Sequence, residues 1–337
     1  MSQFCIIQRI VVPRALQGPR LRKGYLAGLS RALLCLLATA SAGCSLKTYA
    51  INMVGDALAS GNSVYETDED IDLVGQALPF GLKLTESLLE QSPNHHGLLL
   101  TACRGFVLYS YAYVQYESEV TSEDDLDRGG ALRNRARRLY QRGLRYCFRS
   151  FEQSYPNLEA GLLNDPKAAV APIGARNKTR DVELLYWTAA ALGLAISASP
   201  DDPAMLARLP EVEAMLDRAL VLDERWDGGA LHEFKVIFAG ARPGAPTDVA
   251  LIRRHYERAL ELSKGMSAGL YIAYAEAVAL PAQNKAEFRA LLEKALAVDP
   301  DLVPRDRLAN LVSQRRARWL LDRTDDLILD DNPGGKP

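Results

Sequence analysis

The sequence has few of the features that mark an enzyme or a metalloprotein. Histidine occurs only four times, and no histidines are spaced like metal ligands on a helix. No phosphate-binding loop, dinucleotide fingerprint or paired-carboxylate motif occurs. Strand signals are also scarce, because no two alternating runs flank an Asn-Gly or Asp-Gly turn. We therefore expect neither an enzyme nor a β or α/β fold, and no cofactor or metal.

Two motifs resemble catalytic sites, but the residues around them do not fit those sites. The stretch Gly265-Met-Ser-Ala-Gly269 fits the nucleophile-elbow pattern, which requires a strand before the serine. Here the preceding residues have helical periodicity, so Ser267 is expected in a turn between helices. His232-Glu233 begins like a zinc-protease motif, but position 236 is valine where a second histidine is needed.

Three aspartates alternate at Asp68, Asp70 and Asp72, as in a calcium-binding loop. An EF-hand would then need glycine and glutamate where this chain has Leu73 and Pro79. Acidic residues are also favoured at the N-terminus of a helix, where they face its positive dipole end. The latter interpretation predicts a helix that begins near position 70.

The N-terminus has the layout of an export signal. Residues 1–43 contain six basic and no acidic residues, and the apolar run Ala32–Ala42 is too short to span a bilayer. The run ends at Ser41-Ala-Gly-Cys44, which is similar to a lipoprotein box, although leucine is more usual than Ser41. We predict a signal peptide over residues 1–43 and lipid attachment at Cys44. The alternative is a plain cleaved signal with an incidental cysteine.

The net charge and the residue after Cys44 bear on partners and location. Without residues 1–43 the chain has 34 basic and 42 acidic residues, a net charge of −8, so it has no general attraction for nucleic acid. Ser45, rather than aspartate, after the lipidation site favours the outer membrane. The predicted location is the periplasm, with a lipid anchor in the outer membrane.

Only Cys103 and Cys147 remain among the five cysteines once Cys44 and the signal peptide are set aside. Both lie in apolar helical stretches, where free thiols are commonly buried. A disulfide between them is the alternative. We favour two buried free thiols.

One sequence pattern recurs four times, with a small residue at Gly143, Ala219, Ala259 and Ala295. The intervals of 76, 40 and 36 residues fit a repeat of 34–40 residues, which is typical of tetratricopeptide hairpins. A small residue lets the two helices of a hairpin approach closely. We predict an all-α fold, an irregular bundle or solenoid of degenerate tetratricopeptide-like hairpins. It would form one domain over residues 44–330, followed by a disordered tail at 331–337.

Glycine and proline clusters divide this domain into helices. We expect inter-helix loops at Gly129-Gly130, at Asp165–Gly174, at Ser199–Pro203 and at Gly240–Pro246.

A stripe of arginines marks one predicted helix. The residues recur at steps of three and four, which places them on one helix face; they are Arg135, Arg138, Arg142, Arg145 and Arg149. One interpretation is a ridge for an acidic partner or for lipid headgroups. The other is a solvated face, partly neutralised by the acidic residues just before it, which are Glu123, Asp124, Asp125 and Asp127.

Longer segments together resemble a known family. The chain is similar to the T component of TRAP transporters, from about Cys44 to about Leu329. The segments that carry the resemblance are Asp70–Lys83, Glu86–Leu89, Ser92-Pro93, Gly97–Leu100, Leu184–Trp187, Gly229–Phe234, Arg254–Ala259, Arg307–Asn310 and Gln314–Trp319. The resemblance implies a periplasmic lipoprotein with cryptic tetratricopeptide-like hairpins. It also implies oligomerisation, with a trimer as the expected state, and association with a periplasmic solute-binding protein.

Two classes of function follow. The first is a transporter accessory that docks a solute-binding protein and passes a small ligand. The second is a tetratricopeptide-like adaptor for the cell envelope, with no role in transport. Hairpin repeats stack into a concave face whose first helices line the inside, so candidate binding residues lie there. They are Tyr186, Trp187, His232 and Phe234, although Trp187 and Phe234 are equally suited to the core.

Overall fold

The computed structural model describes residues 52–57, 63–241 and 247–329. Residues 51–337 belong to one compact unit. The predicted signal peptide over residues 1–43, the lipid site Cys44 and the predicted disordered tail at 331–337 lie outside the described residues.

Every regular element in the described ranges is a helix, which confirms the predicted all-α class. The α-helices are α1 (Ser63–Glu66), α2 (Ile71–Gln91), α3 (His96–Tyr109), α4 (Tyr116–Thr121), α5 (Leu126–Glu152), α6 (Leu158–Asn164), α7 (Pro166–Val170), α8 (Lys178–Ser197), α9 (Pro203–Leu206), α10 (Leu209–Asp223), α11 (Ala230–Gly240), α12 (Val249–Ser263), α13 (Ala268–Tyr274), α14 (Lys285–Ala297), α15 (Arg307–Asp322) and α16 (Thr324–Leu327). Two π-helical segments, Ser110–Gln115 and Ala275–Ala279, continue α3 and α13 respectively. Two 3-10 turns lie at Trp226–Gly229 and Pro304–Asp306.

Short polar side chains begin most of the long helices. The Asp70 carboxylate accepts hydrogen bonds from the backbone N–H groups of Asp72 and Leu73, at 3.0 and 2.9 Å. Asp68 in turn accepts from the N–H of Asp70. These bonds satisfy donors that the first helical turn leaves free. The alternating aspartates therefore mark the start of α2, as the helix-start interpretation predicts.

The helices that carry the recurring small residue each pack against an earlier helix. α5 packs on α3, α10 on α8, α12 on α11 and α14 on α13. The small residues are buried in all four copies, and a side chain at Gly143 would lie 3.1 Å from the carbonyl oxygen of Cys103. The prediction that these positions permit close helix contact is confirmed. The assignment of the pairs to the tetratricopeptide class stays a prediction.

The last long helix returns to the beginning of the body. Arg307 of α15 donates a hydrogen bond to the carbonyl of Thr67 at 3.1 Å, and Arg315 donates to the carbonyl of Ala112. Further along, the Trp319 indole N–H donates to Glu123 at 2.6 Å. These contacts join residues about 200 positions apart, so the helices close into a ring.

Gly129 and Gly130 do not form the predicted loop, because both lie inside α5. Asp125 caps that helix by accepting from the N–H of Arg128, so the chain turns four residues earlier than expected. Gly129 packs against the preceding turn, and a Cβ atom there would lie 2.0 Å from the Ser122 hydroxyl. The glycine serves a close approach between two segments.

Cys103 and Cys147 form a disulfide between α3 and α5, so the prediction of free thiols is wrong. Gly143, one helical turn before Cys147, lets α5 approach the backbone of α3. The two Cα atoms are then 5.0 Å apart, which is within the range that a disulfide bridges. Both cysteines are fully buried.

We expect Cys147→Ser to destabilise the chain without its predicted signal peptide and lipid site, residues 45–337. The disulfide closes a loop of 44 residues, so its loss costs roughly 4 kcal/mol in the chain-entropy account. Urea denaturation would measure this loss, and the double variant Cys103→Ser/Cys147→Ser should lose a similar amount. If denatured, unreduced wild-type protein shows two reactive thiols, the pairing is wrong.

Candidate functional site

Four aromatic side chains meet where α8, the Trp226 turn and α11 come together. The ring of Tyr186 lies 4.7 Å from Trp226, 5.0 Å from Trp187 and 5.7 Å from Phe234, measured between centroids. All four side chains are only partly buried, although they pack against the core formed by α5, α8 and α10. The cluster thus separates the core from space that is accessible to solvent.

The helices around this cluster are apolar on two faces. In α3 and its π-helical continuation, Leu108 is 39% exposed and Tyr111 41% exposed, whereas Phe106 and Val107, just before them, are core. In α11, Ile237 is 45% exposed and lies one turn after Glu233. Residues three or four apart share a helix face. Each of these helices therefore has an accessible apolar face opposite its buried one.

These faces border one concave space. Tyr111 is 41% accessible, yet the surrounding protein desolvates it enough to raise the pKa of its hydroxyl to about 12. Burial likewise raises the pKa of Tyr186, and the carboxylate of Glu233 raises the pKa of both hydroxyls further. Side chains that are accessible and desolvated together lie in a concave interior. We call this space, bounded by Tyr111, Tyr186, Trp226, Glu233 and Phe234, the inner chamber.

Glu233 is the carboxylate in the middle of the chamber wall. Burial raises its pKa to about 7, and a hydrogen bond from the Ser267 hydroxyl at 2.8 Å opposes that rise. Ser267 also begins α13 by accepting from the N–H of Leu270. A Cβ atom at position 269 would lie 2.6 Å from Glu233 Oε1, so Gly269 leaves room for the carboxylate. The G-x-S-x-G stretch thus shapes a helix start, and α12 rather than a strand precedes it.

Carboxylates gather at one edge of the chamber, around Asp227. Burial, with the charge of Asp227 as a further cause, raises the pKa of each of the surrounding acids, which are Glu66, Glu183, Glu233 and Asp306. Arg104 lies 3.4 Å from Glu66 and 3.6 Å from Glu183. Arg305 lies 3.5 Å from Asp227. We call this edge the acidic mouth, since its acids outnumber these two arginines.

The backbone at the acidic mouth is strained. Asp227 has φ 46° and is followed by two glycines that also have positive φ. A left-handed aspartate costs energy that the surrounding contacts must offset. This turn places the ring of Trp226 against that of Tyr186, and Asp227 stays half exposed at the edge of the chamber.

An ion-pair cluster bounds the chamber on the side where the ring closes. Arg316 of α15 bridges Glu119 of α4 and Glu276 of the second π-helical segment, with the latter pair at 2.7 Å. The charges of Arg316 and Glu276 both act on the hydroxyl of Tyr111, which lies in the first π-helical segment. Single π-turns inside α-helices often occur at functional sites. Here both of them place a polar side chain beside the chamber.

Three of the four candidate binding residues lie together in the aromatic cluster beside this chamber. Tyr186 contacts both Trp187 and Phe234. His232 lies on a different face of α11, is 8% exposed, and has its Nδ1 2.9 Å from Nδ1 of His255 in α12. Burial lowers the pKa of both histidines, that of His255 to about 4.

Sequence reasoning missed Tyr111, Trp226 and Glu233 as chamber residues. Periodicity places Glu233 and Phe234 on one face with Ile237, but it does not indicate whether that face is buried or accessible. Nothing local pointed to Tyr111, since its π-helical setting depends on contacts with the other end of the chain.

The comparisons with known proteins decide the family. Residues 67–328 match the TRAP transporter T-component family. The chain belongs to this family. An uncharacterized protein of Treponema pallidum (strain Nichols) is 32% identical over 313 residues, which cover 88% of this chain and 95% of that protein.

Membership of the T-component family confirms the predicted resemblance and assigns the chain to a TRAP transport system as an accessory component. The match includes all of α2 to α15, and therefore Tyr111, Tyr186, Trp226, Glu233 and Phe234 of the chamber. Within the described residues, no cluster of three or more potential metal ligands occurs.

We expect Glu233→Gln to flatten the dependence of stability on pH. The folded protein holds the Glu233 proton up to about pH 7, whereas an ordinary glutamate releases it near 4.5. Wild-type stability should therefore fall as the pH rises between these values. Between pH 5 and pH 8, the free energy of unfolding of the wild type should fall by about 2 kcal/mol more than that of Glu233→Gln. This value allows for the partial solvation of the side chain.

Urea denaturation at several pH values would measure the two slopes. Glu293→Gln, which changes an exposed glutamate of α14, is the matched control and should follow the wild type. Identical slopes for wild type and Glu233→Gln would contradict the assignment.

Proposed function

We propose that the chain is a lipid-anchored periplasmic accessory of a TRAP-type transporter, which docks a solute-binding protein and passes a small ligand through the inner chamber. The observation that carries this proposal is a concave, partly aromatic chamber in a member of the T-component family. An accessory protein that acted only as a spacer would have no need for accessible tyrosine, tryptophan and isoleucine side chains in its interior.

The lining of the chamber suits transient binding of a small molecule. Ligand sites are mostly apolar, with a few polar groups that fix orientation. Here Tyr186, Trp226 and Phe234 supply apolar surface, and Glu233 supplies a polar group beside them. The acidic mouth gives this lining an edge of distinct charge, through which a ligand would enter or leave.

The location in the periplasm is supported by chemistry within the fold. A disulfide joins α3 and α5, and disulfides persist in oxidising compartments such as the periplasm. The basic, apolar and small-residue segments before Cys44 supply the route of export. Together they favour an exported protein anchored at Cys44 in the outer membrane.

Self-association is part of the same proposal, with a trimer as the state that the family resemblance implies. The outward face of α2 carries an apolar stripe formed by Leu73, Phe80 and Leu84, which are 55%, 75% and 37% exposed. Exposed apolar stripes of this kind are typical of interfaces. The stripe is a candidate surface for contact between copies or with the solute-binding protein.

We expect lipid labelling at Cys44. Cells fed a clickable fatty acid should label the wild type, whereas Cys44→Ser should remain unlabelled, because no other thiol lies at the cleavage site. Cys103 and Cys147 are paired in the fold and serve as internal controls. Equal labelling of the wild type and Cys44→Ser would refute the anchor.

We expect Ile237→Trp to obstruct the chamber without preventing docking. The side chain of Ile237 is 45% exposed, so a larger ring would extend into the chamber rather than into the core. Solute uptake should fall at least about fivefold, by analogy with blocked ligand sites. The yield of co-purified solute-binding protein should stay at the wild-type level.

Val221→Trp adds the same bulk at a position that is 75% exposed on α10, and it should leave uptake unchanged. Uptake that survives Ile237→Trp would contradict passage through the chamber. If no solute-binding protein associates with the wild type at micromolar concentration, docking is refuted and the envelope-adaptor function takes its place.

A further inference from the structure

The outer surface of α5 carries an arginine ridge whose positive charge the fold leaves mostly unneutralised. The five arginines of the ridge are Arg135, Arg138, Arg142, Arg145 and Arg149. They lie opposite the face of α5 that contains Ala136, Tyr140, Gly143 and Cys147, which is fully in the core. Over these residues an α-helix rises about 21 Å. Four of the five are exposed, and Arg142 is half buried.

Carboxylates do not neutralise this ridge. No acidic residue occurs between Asp127 and Glu152. Of the acids just before α5, Glu123 pairs with Arg323 and Asp125 caps the helix. Glu86 is the one carboxylate that contacts the ridge in the described structure. It accepts from Arg142 at 2.5 Å and from Lys83 at 2.9 Å, so two cations share it.

Neutral groups hold two of the arginines in place. Arg135 donates to the hydroxyl of Tyr109 at 3.3 Å, and Arg149 donates to the carbonyl of Pro93 at 2.9 Å while lying over the ring of Tyr146. These partners orient the guanidinium groups and leave their charge in place. Arg138 and Arg145 make no ion pair within the described residues.

The chemistry of the ridge favours phosphate. Helix α5 has eight arginines and no lysine, and the planar guanidinium matches phosphate oxygens in pairs, which ammonium does not. Protein interfaces usually combine arginine with aromatic anchors that become buried at their centre. Among the large apolar residues of α5, all of which the structure describes, only Leu126 at its first position is exposed.

We propose that the arginine ridge binds the anionic phospholipid surface of the membrane. Each arginine near such a surface contributes about 1 kcal/mol of attraction. The ridge lies on the outside of the ring, because the opposite face of α5 packs on α3 and α8, which line the chamber. Contact with lipid would hold the body on its side and leave the chamber free. That orientation rests on the proposed anchor at Cys44, whereas binding to lipid does not.

The test uses residues 45–337, whose core lies within the compact unit described above, and vesicles as the probe. Sedimentation with phosphatidylglycerol vesicles should recover the protein at low salt, and phosphatidylcholine vesicles should not. Arg138→Glu/Arg145→Glu should lower recovery at least about tenfold, and salt should lower recovery of the wild type. Arg253→Glu/Arg254→Glu, an equal charge change at exposed positions of α12, should lower recovery less than twofold.

Circular dichroism should give the same melting curve for both double variants, since all four positions are exposed. If the ridge variant melts early, Arg138→Gln/Arg145→Gln replaces it and should still lower recovery several-fold. Equal recovery with both lipids, or full recovery of the ridge variant, overturns the proposal. The proposal is also overturned if the wild type does not bind vesicles and only the ridge variant loses the co-purified solute-binding protein. The ridge would then be a binding surface for the solute-binding protein. If the wild type binds vesicles but no solute-binding protein associates with it, the proposed docking is refuted and the proposed lipid binding by the ridge stands.

Discussion

The ion pairs of Arg316 with Glu119 and Glu276 are the contact on which the rest of the structure depends. They join α15 to a helix almost 200 residues earlier, and closing so long a loop costs chain entropy before any contact forms. The arginine is mostly buried and touches both carboxylates, so removing it would leave two partly buried charges without their cation. Without this closure the first π-helical segment would face solvent, and no chamber would exist.

The closure also explains the two π-helical segments. Each lies in a helix that reaches the Arg316 cluster, and each carries a residue that interacts with Arg316, namely Tyr111 or Glu276. A π-turn adds one residue to a helical turn and so rotates the following residues relative to those before it. This rotation turns polar side chains inward from helices that are otherwise apolar on that side. The departure from ideal helix geometry therefore coincides with the polar lining of the site.

Local pattern could predict much of the fold, because periodicity, capping aspartates and small contact residues act within one or two helices. The predicted helix start at Asp70 and the burial of Ala295 are of this kind. The disulfide was not predictable, since it depends on which helix α5 packs against. His232 and Glu233 show the same limit on a smaller scale. Adjacent helix positions point about 100° apart, and only the tertiary packing decides which of them faces the chamber.

The disulfide has a mechanical consequence for the chamber. Cys103 immediately precedes Arg104, which contributes to the acidic mouth, and it lies two turns before Tyr111 on the same helix. A covalent bond to α5 prevents α3 from turning about its own axis or sliding along its partner by even one residue, which would be a step of 1.5 Å. The width of the chamber can therefore change only when helix pairs shift as rigid blocks. Formation of the disulfide would fix this side of the chamber in register.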